Sequence, residues 1–420
     1  MPQVGCPLNS EIQGINLQNN PRQYEGSIRT NIAMATLLIS LFIAIMGIAF
    51  VIPFLPLLAV DYGASSFELG LIMASFSLSM AITQPIVGRF SDQHGRKLFL
   101  LLGLAIYSLT GFAYIWASSV IDMSLIRLVQ GIGGGLVFAV SMAYVGDLAP
   151  EKHEGRYMGM YNVAMFGGFG CGPLIGGILK DTLGMNASFV GMGILGGIAF
   201  VSIMLFLPES RSGSNTEGQH ESLGSAFKAI LSETRMVGVF VIRLAVMLSM
   251  VPSFIFLPIL LTNVMNASGT QIGLVITTRT MVSASLQYPM GWVADRYNRV
   301  LLTVFSLIGM SFVVSLLGLS FELWHAFLLF TLLGIMEAIF QPTNSAMILE
   351  GGRSHGMGTT MGLFNTAMSI GMFVGSLAAG VLIDSFGMKA GFMVLAGIVL
   401  VSTLLSWPLL RIPLKLRDTA

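Results

Sequence analysis

The sequence predicts an all-α membrane protein of twelve transmembrane helices in two pseudosymmetric halves of six, and three observations carry that prediction. The chain of 420 residues is 54% hydrophobic and only 10% charged, whereas a soluble domain carries about a quarter charged residues. No charged residue occurs from Ile32 to Val60, Leu98 to Ile121, Thr182 to Pro208, Leu244 to Thr278 or Ser354 to Ile383. Each of these stretches can cross a hydrocarbon core, which needs about 20 residues of helix. Finally, displacing the sequence by 203 residues lays one half on the other. A soluble protein with a large core is excluded, because no amphipathic helices exist to cover such apolar surfaces.

Charge sets the orientation. With twelve spans and both ends on one side, sixteen of the 21 Lys and Arg fall on the cytoplasmic face, Lys180 and Lys389 fall outside, and Arg127, Arg243 and Arg279 lie within spans. That asymmetry follows the positive-inside rule and is lost if the count shifts by one helix. The expectation is a multi-pass protein of the cytoplasmic (inner) cell membrane with both termini cytoplasmic. A net charge of +1 gives no basis for nucleic-acid binding. Residues 1–30 are polar without an apolar core and read as a cytoplasmic tail, not a signal peptide. Cys6 and Cys171 neither pair nor form a metal constellation.

The repeat fixes the domain plan. Ser65, Gly70, Gly88, Asp92, Arg96, Gly131, Gly159, Asn162, Gly168, Gly172, Asp181 and Gly184 recur identically at Ser268, Gly273, Gly291, Asp295, Arg299, Gly334, Gly362, Asn365, Gly371, Gly375, Asp384 and Gly387, while Gly176 becomes Ala379. The halves are therefore residues 31–208 and 236–411, joined by a polar cytoplasmic linker, 209–235, and followed by a tail, 412–420. Duplicated halves with a midplane site are a common plan for secondary transporters. No Walker sequence and no soluble nucleotide-binding domain occur, so an ion or substrate gradient must drive any transport. No cofactor, metal or enzymatic chemistry is implied.

Between spans 2 and 3 stands GRFSDQHGRK, Gly88 to Lys97, with a degenerate copy GWVADRYNR, Gly291 to Arg299. Gly95 suits a left-handed turn, Gly88 permits close helix approach, and Asp92 can meet a helix N-terminus or an Arg. Asn298, replacing Gly95 in the copy, tolerates the same backbone region. Span 4 carries LIRLVQGIGGG, placing Arg127 inside the membrane, where an Arg is costly unless it faces a cavity or a partner. Span 5 carries Gly159, Gly168, Gly172, Pro173, Gly176 and Gly177; glycines four apart make a smooth groove for another helix, and Pro173 can bend the span.

These segments resemble the signature loops and helix motifs of the major facilitator superfamily, and the span 5 spacing resembles its twelve-span drug:proton antiporters. The resemblance implies an interdomain latch made by Gly88, Asp92, Gly95 and Arg96 with Asp295 and Arg299. It also implies a part for Arg127 in proton movement or substrate handling, a pivot or seal at Gly172 and Pro173, a cavity lined by spans 1, 4, 7 and 10, and a monomer. The acid that such antiporters of lipophilic cations carry in span 1 is missing here.

Glu337, in span 10, is the one carboxylate deep inside a span. Isolated in apolar surroundings it would take and release protons near neutral pH, which makes it the coupling candidate together with Arg127. The alternative is a fixed ion pair with Arg243 of span 7 or Arg279 of span 8. Three Arg against one Glu lean toward anionic, zwitterionic or neutral amphipathic substrates. Arg243, Arg279, Gln341, Asn344, Asn162 and Asn365 are the candidate substrate contacts, within an adaptable wall drawn from 28 Met and 28 Phe. The function expected is proton-coupled export of a small amphipathic drug or metabolite by alternating access, with import or facilitated passage of an organic anion, or lipid flipping, as alternatives.

Overall fold

The computed structural model describes residues 21–149, 154–209, 232–320, 322–355 and 357–412. Cys6, nearly all of the linker and most of both tails lie outside them. The first half contains α1 Pro21–Val51, α2 Leu55–Asp61, α3 Ser66–His94, α4 Lys97–Ala113, α5 Val120–Leu148, α6 Glu154–Leu183 and α7 Met185–Phe206. The second contains α8 Thr234–Met265, α9 Gly269–Arg296, α10 Arg299–Leu317, α11 Leu323–His355 and α12 Met357–Leu410. The last described part of the predicted tail, residues 21–30, is continuous helix with α1.

Ten of these helices are long and apolar enough to cross a membrane. The twelve spans are recovered because α12 holds two of them, broken at Gly387 where φ is 78°, and because α9 makes the remaining one. Polar groups such as Gln271, Arg279 and Gln287 keep α9 below an apolar threshold. It nonetheless occupies the place of α3 in the repeat. Spans 4, 5, 7, 8 and 10 of the sequence are thus α5, α6, α8, α9 and α11.

Helix is imposed here by the solvent, since hydrocarbon offers nothing to an unpaired backbone group. Within each half the helices approach where side chains are smallest. Gly111 of α4 lies against Gly193 of α7. Gly131 of α5 meets the Phe76 carbonyl of α3, and its repeat partner Gly334 of α11 meets the Arg279 carbonyl of α9. Since Phe76 and Arg279 are themselves repeat partners, the same close backbone contact recurs inside each half. Across the halves, α3 packs on α12 and α6 on α9.

Candidate transport pathway and gates

The two ends of the bundle differ. At one end, which begins α3 and α9, the halves are bound reciprocally. Asp181, in the last turn of α6, accepts from Gly269 N at 2.8 Å, Thr270 N at 2.7 Å and Thr270 Oγ1 at 2.7 Å. Asp384 of α12, its repeat partner, accepts from Ser66 N at 2.9 Å and Phe67 N at 2.8 Å. The next amide of each helix is taken by its own cap, Ser65 for Glu68 and Ser268 for Gln271. A helix N-terminus leaves its first amides without intrahelical partners. Each half therefore supplies the carboxylate that completes the other half's helix end, where negative charge is also favoured. A Cβ on Gly70 would overlap the Ser376 carbonyl, one on Gly273 the Pro173 carbonyl, and one on Gly177 the Gly269 carbonyl.

At the opposite end the loop arginines pair with carboxylates of their own halves. Arg96 holds Asp147 of α5 through Nε and, at 3.1 Å, through Nη2; it also pairs with Asp92 at 3.0 Å. Glu209 accepts from Arg96 N at 2.6 Å and Lys97 N at 3.0 Å, capping α4. The copy repeats the pattern: Arg299 pairs with Glu350 at 2.6 Å and Asp295 at 3.1 Å, and Arg235 joins Glu350 at 2.9 Å. A Cβ placed on Gly88, Gly159 or Gly291 would meet nothing described within 4 Å, and Tyr288 and Asn162 are exposed. The close approach expected at Gly88 is thus not made in this arrangement of the halves. Gly95 has φ 88° and ψ 154°, as its turn requires. Asn298 departs from expectation: its φ is −63°, and its side chain caps α10 by accepting from Val300 N and Leu301 N.

The glycines of α6 divide by neighbour. Gly168, Gly172 and Gly176 lie against α1 at Phe42, Ala49 and Phe50, inside one half, whereas Gly177 and the Pro173 carbonyl face α9 of the other.

Buried charge lies between the two ends. Glu337 is not isolated: Arg279 Nε and Nη2 reach its two oxygens at 3.0 and 3.2 Å, and the Arg279 guanidinium lies over Phe254 at 4.5 Å. Of the two partners that sequence left open, the structure selects Arg279. Arg243 instead donates to Gln341 Oε1 at 3.2 Å, touches Met368 Sδ and lies 4.4 Å over Phe364. Arg127 donates to Gln130 Oε1 at 3.0 Å, an oxygen it shares with the Tyr114 hydroxyl, and stands 5.2 Å over Phe76. Asn344 is buried with neither amide atom bonded among the described residues. Asn365 is half-buried, and among the described residues no hydrogen bond joins it or the exposed Asn162 to the charged groups.

Sequence reasoning missed Asp181 and Asp384 as joining groups, and Asp147, Glu209, Glu350 and Arg235 as partners of the loop arginines. A signal was present for most of them. Asp181 and Asp384 are repeat-preserved acids three residues before a glycine, and Asp147 and Glu350 are acidic at the same offset.

A duplicated helical bundle with buried charge inside each half and one end sealed by reciprocal contacts defines a multi-pass membrane transporter for small molecules. The Major Facilitator Superfamily model matches residues 37–260 and 236–419, and the chain belongs to that family. It is 28% identical over 369 residues to an uncharacterized transporter of this type from Methanocaldococcus jannaschii, covering 86% of this chain and 95% of the relative. It is 25% identical over 348 residues to the quinolone resistance protein NorA of Staphylococcus aureus, covering 82% and 88%. The crystal structure of the nucleoside transporter NupG superposes with a TM-score of 0.74 at 13% identity, over 91% of this chain and 100% of that one.

Proposed function

We propose that the protein is a proton-coupled antiporter of the cytoplasmic membrane that exports a small amphipathic compound by alternating access, as a monomer with both termini cytoplasmic. The observation that carries the alternation is the contrast between the ends. The halves are joined by Asp181 and Asp384 at the outer end, while at the cytoplasmic end Arg96 and Arg299 pair with carboxylates of their own halves. That is the pattern of an inward-open state, and the outward-open state would reverse it, bringing Asp92, Arg96, Asp295 and Arg299 across the divide. Export is supported by the α6 motif and by similarity to a quinolone resistance protein.

Coupling is assigned to the Arg279–Glu337 pair together with Arg127, the membrane-embedded cation of the first half. Protonating Glu337 would release Arg279 and remove the one carboxylate described in that interior, a change large enough to bias two states that differ by a few kcal/mol. The test is proton flux in proteoliposomes under an imposed pH gradient, with a quinolone and then other amphipathic compounds added. Native protein should dissipate the gradient on addition of a substrate and Glu337→Gln should not. Equal substrate movement by both proteins without proton flux would overturn the coupling and leave a facilitator.

A further inference from the structure

Once Glu337 is committed to Arg279, the described interior of the second half still contains a guanidinium without its own counter-ion. Arg243 is 6% exposed, and its contacts are an amide oxygen, a thioether and an aromatic face; its Nε has no hydrogen-bond partner among the described residues. Glu337 acts on it through space but has both oxygens on Arg279. One carboxylate therefore serves two guanidiniums, leaving one net positive charge in a low-dielectric setting where such charges face a partner or a cavity.

Arg243 does not stand alone. Glu337, Gln341 and Asn344 follow one another at i, i+4 and i+7 on α11, a single face of the helix. Gln341 is already bound to Arg243, and Asn344, one turn further, is 1% exposed with both Oδ1 and Nδ2 unbonded. A buried amide with no partner is costly and calls for an explanation. Arg243 Nε and Asn344 Nδ2 are two unused donors, one on a guanidinium that lies over Phe364 and the other one turn along α11 from the Gln341 that this guanidinium binds.

We infer that Arg243, Gln341 and Asn344 form the head-group subsite for an organic monoanion, a carboxylate or sulfonate on an apolar or aromatic body that would lie against Phe364 and Met368. The inference rests on the reading of this interior as the transport pathway and narrows its substrate class from amphipathic to anionic. A cation would instead add a third positive group to the same cluster. Arg127 has similar surroundings, an amide oxygen, a thioether and a ring, with its Nε also unbonded among the described residues, but it lacks the free amide: both atoms of Gln130 are bonded, and Ser141, which stands where the second half has Asn344, is already bonded to the Phe138 carbonyl and the Tyr161 hydroxyl.

The test is equilibrium binding, which needs no gradient and so fails or succeeds independently of proton coupling. The full chain in zwitterionic phosphatidylcholine nanodiscs is dialysed against 2-naphthoate, 2-naphthylmethanol and 2-naphthylmethylamine, with empty nanodiscs subtracted. Naphthoate should bind at least about tenfold more tightly than the other two. Arg243→Gln should abolish that preference, Arg243→Lys should keep most of it, and Asn344→Leu should weaken naphthoate binding severalfold while leaving the order intact. Arg127→Gln should keep the preference, which locates the head group. If Arg243→Gln does not elute as a monodisperse species, Arg243→Lys and Asn344→Leu decide. A native protein that fails to prefer naphthoate, whether it binds all three equally or none, overturns the inference, as does a preference that survives in Arg243→Gln.

Discussion

The two halves share a frame and differ inside it. At the repeat offset Arg127 corresponds to Phe330 and Phe76 to Arg279, so this Arg–Phe contact recurs in each half, at 5.2 Å in the first and 5.5 Å in the second, with the helices exchanged. The first half gives its Arg a neutral acceptor, Gln130; the second pairs Arg279 with Glu337, where the first half has Gly134. Arg243, Gln341 and Asn344 stand where the first half has Ser40, Phe138 and Ser141. Duplication has preserved the caps, the loop clusters and the glycine contacts and has let the interior diverge, so that of the membrane-embedded charges Arg127 lies in the first half and Arg243, Arg279 and Glu337 lie in the second.

The widest gap between the halves should appear on removing the buried acid. Glu337→Ala leaves Arg279 and Arg243 with no carboxylate, and breaking a buried pair in this way costs about 3–5 kcal/mol. Gly134→Ala, its counterpart, adds a methyl group at 3.1–3.4 Å from Tyr107, Phe76 and Met80 and should cost about 1 kcal/mol. Thermal unfolding in detergent measures both, and equal losses would erase the asymmetry described above.

The shared frame predicts near-equality instead. Asp181→Asn and Asp384→Asn each remove a charged acceptor from two helix amides, worth about 1.5–3 kcal/mol per cap, and each should shift the population tenfold or more toward opening at that end. Asp181→Asn should be the larger, because the Thr270 hydroxyl supplies a third bond that Phe67 cannot. Distances between spin labels on the facing ends of α6 and α9 read the shift. No change in either variant would mean that the caps do not hold the halves.

A smaller difference separates the loops. Gly95→Ala should cost about 1–3 kcal/mol, since its φ and ψ suit glycine alone, while Asn298→Gly should lose only a few tenths. Smallest of all is Gly159→Ala, expected within about 0.5 kcal/mol of native because its methyl group meets open space. Gly177→Ala, by contrast, forces α6 from α9. Stability of Gly159→Ala far below native would place another helix at that glycine.

Much of this was legible in the sequence because a bilayer imposes simple demands. Apolar length, the position of Lys and Arg, and a repeat held without insertion determined the number of spans and their grouping into halves, and the loop and helix motifs carried the resemblance to the family. The charged residues inside the membrane were visible as well, since Arg127, Arg243, Arg279 and Glu337 are too costly in hydrocarbon to pass unnoticed. The partner of each was not. Glu337 could have reached Arg243 or Arg279 on residue type alone, and distance chose Arg279. Asn298 read as a substitute for glycine because Asn tolerates left-handed backbone, yet its side chain found two amides to cap and the backbone stayed extended. The closing of the halves by Asp181 and Asp384 joins positions 88 and 317 or 318 residues apart, a contact to backbone amides that no pairing of side-chain types announces. Composition and periodicity determined what each helix must be, because those requirements act on a helix by itself; which buried charges meet, and which end of the bundle is sealed, depend on helices placed against one another, and only the tertiary structure decided them.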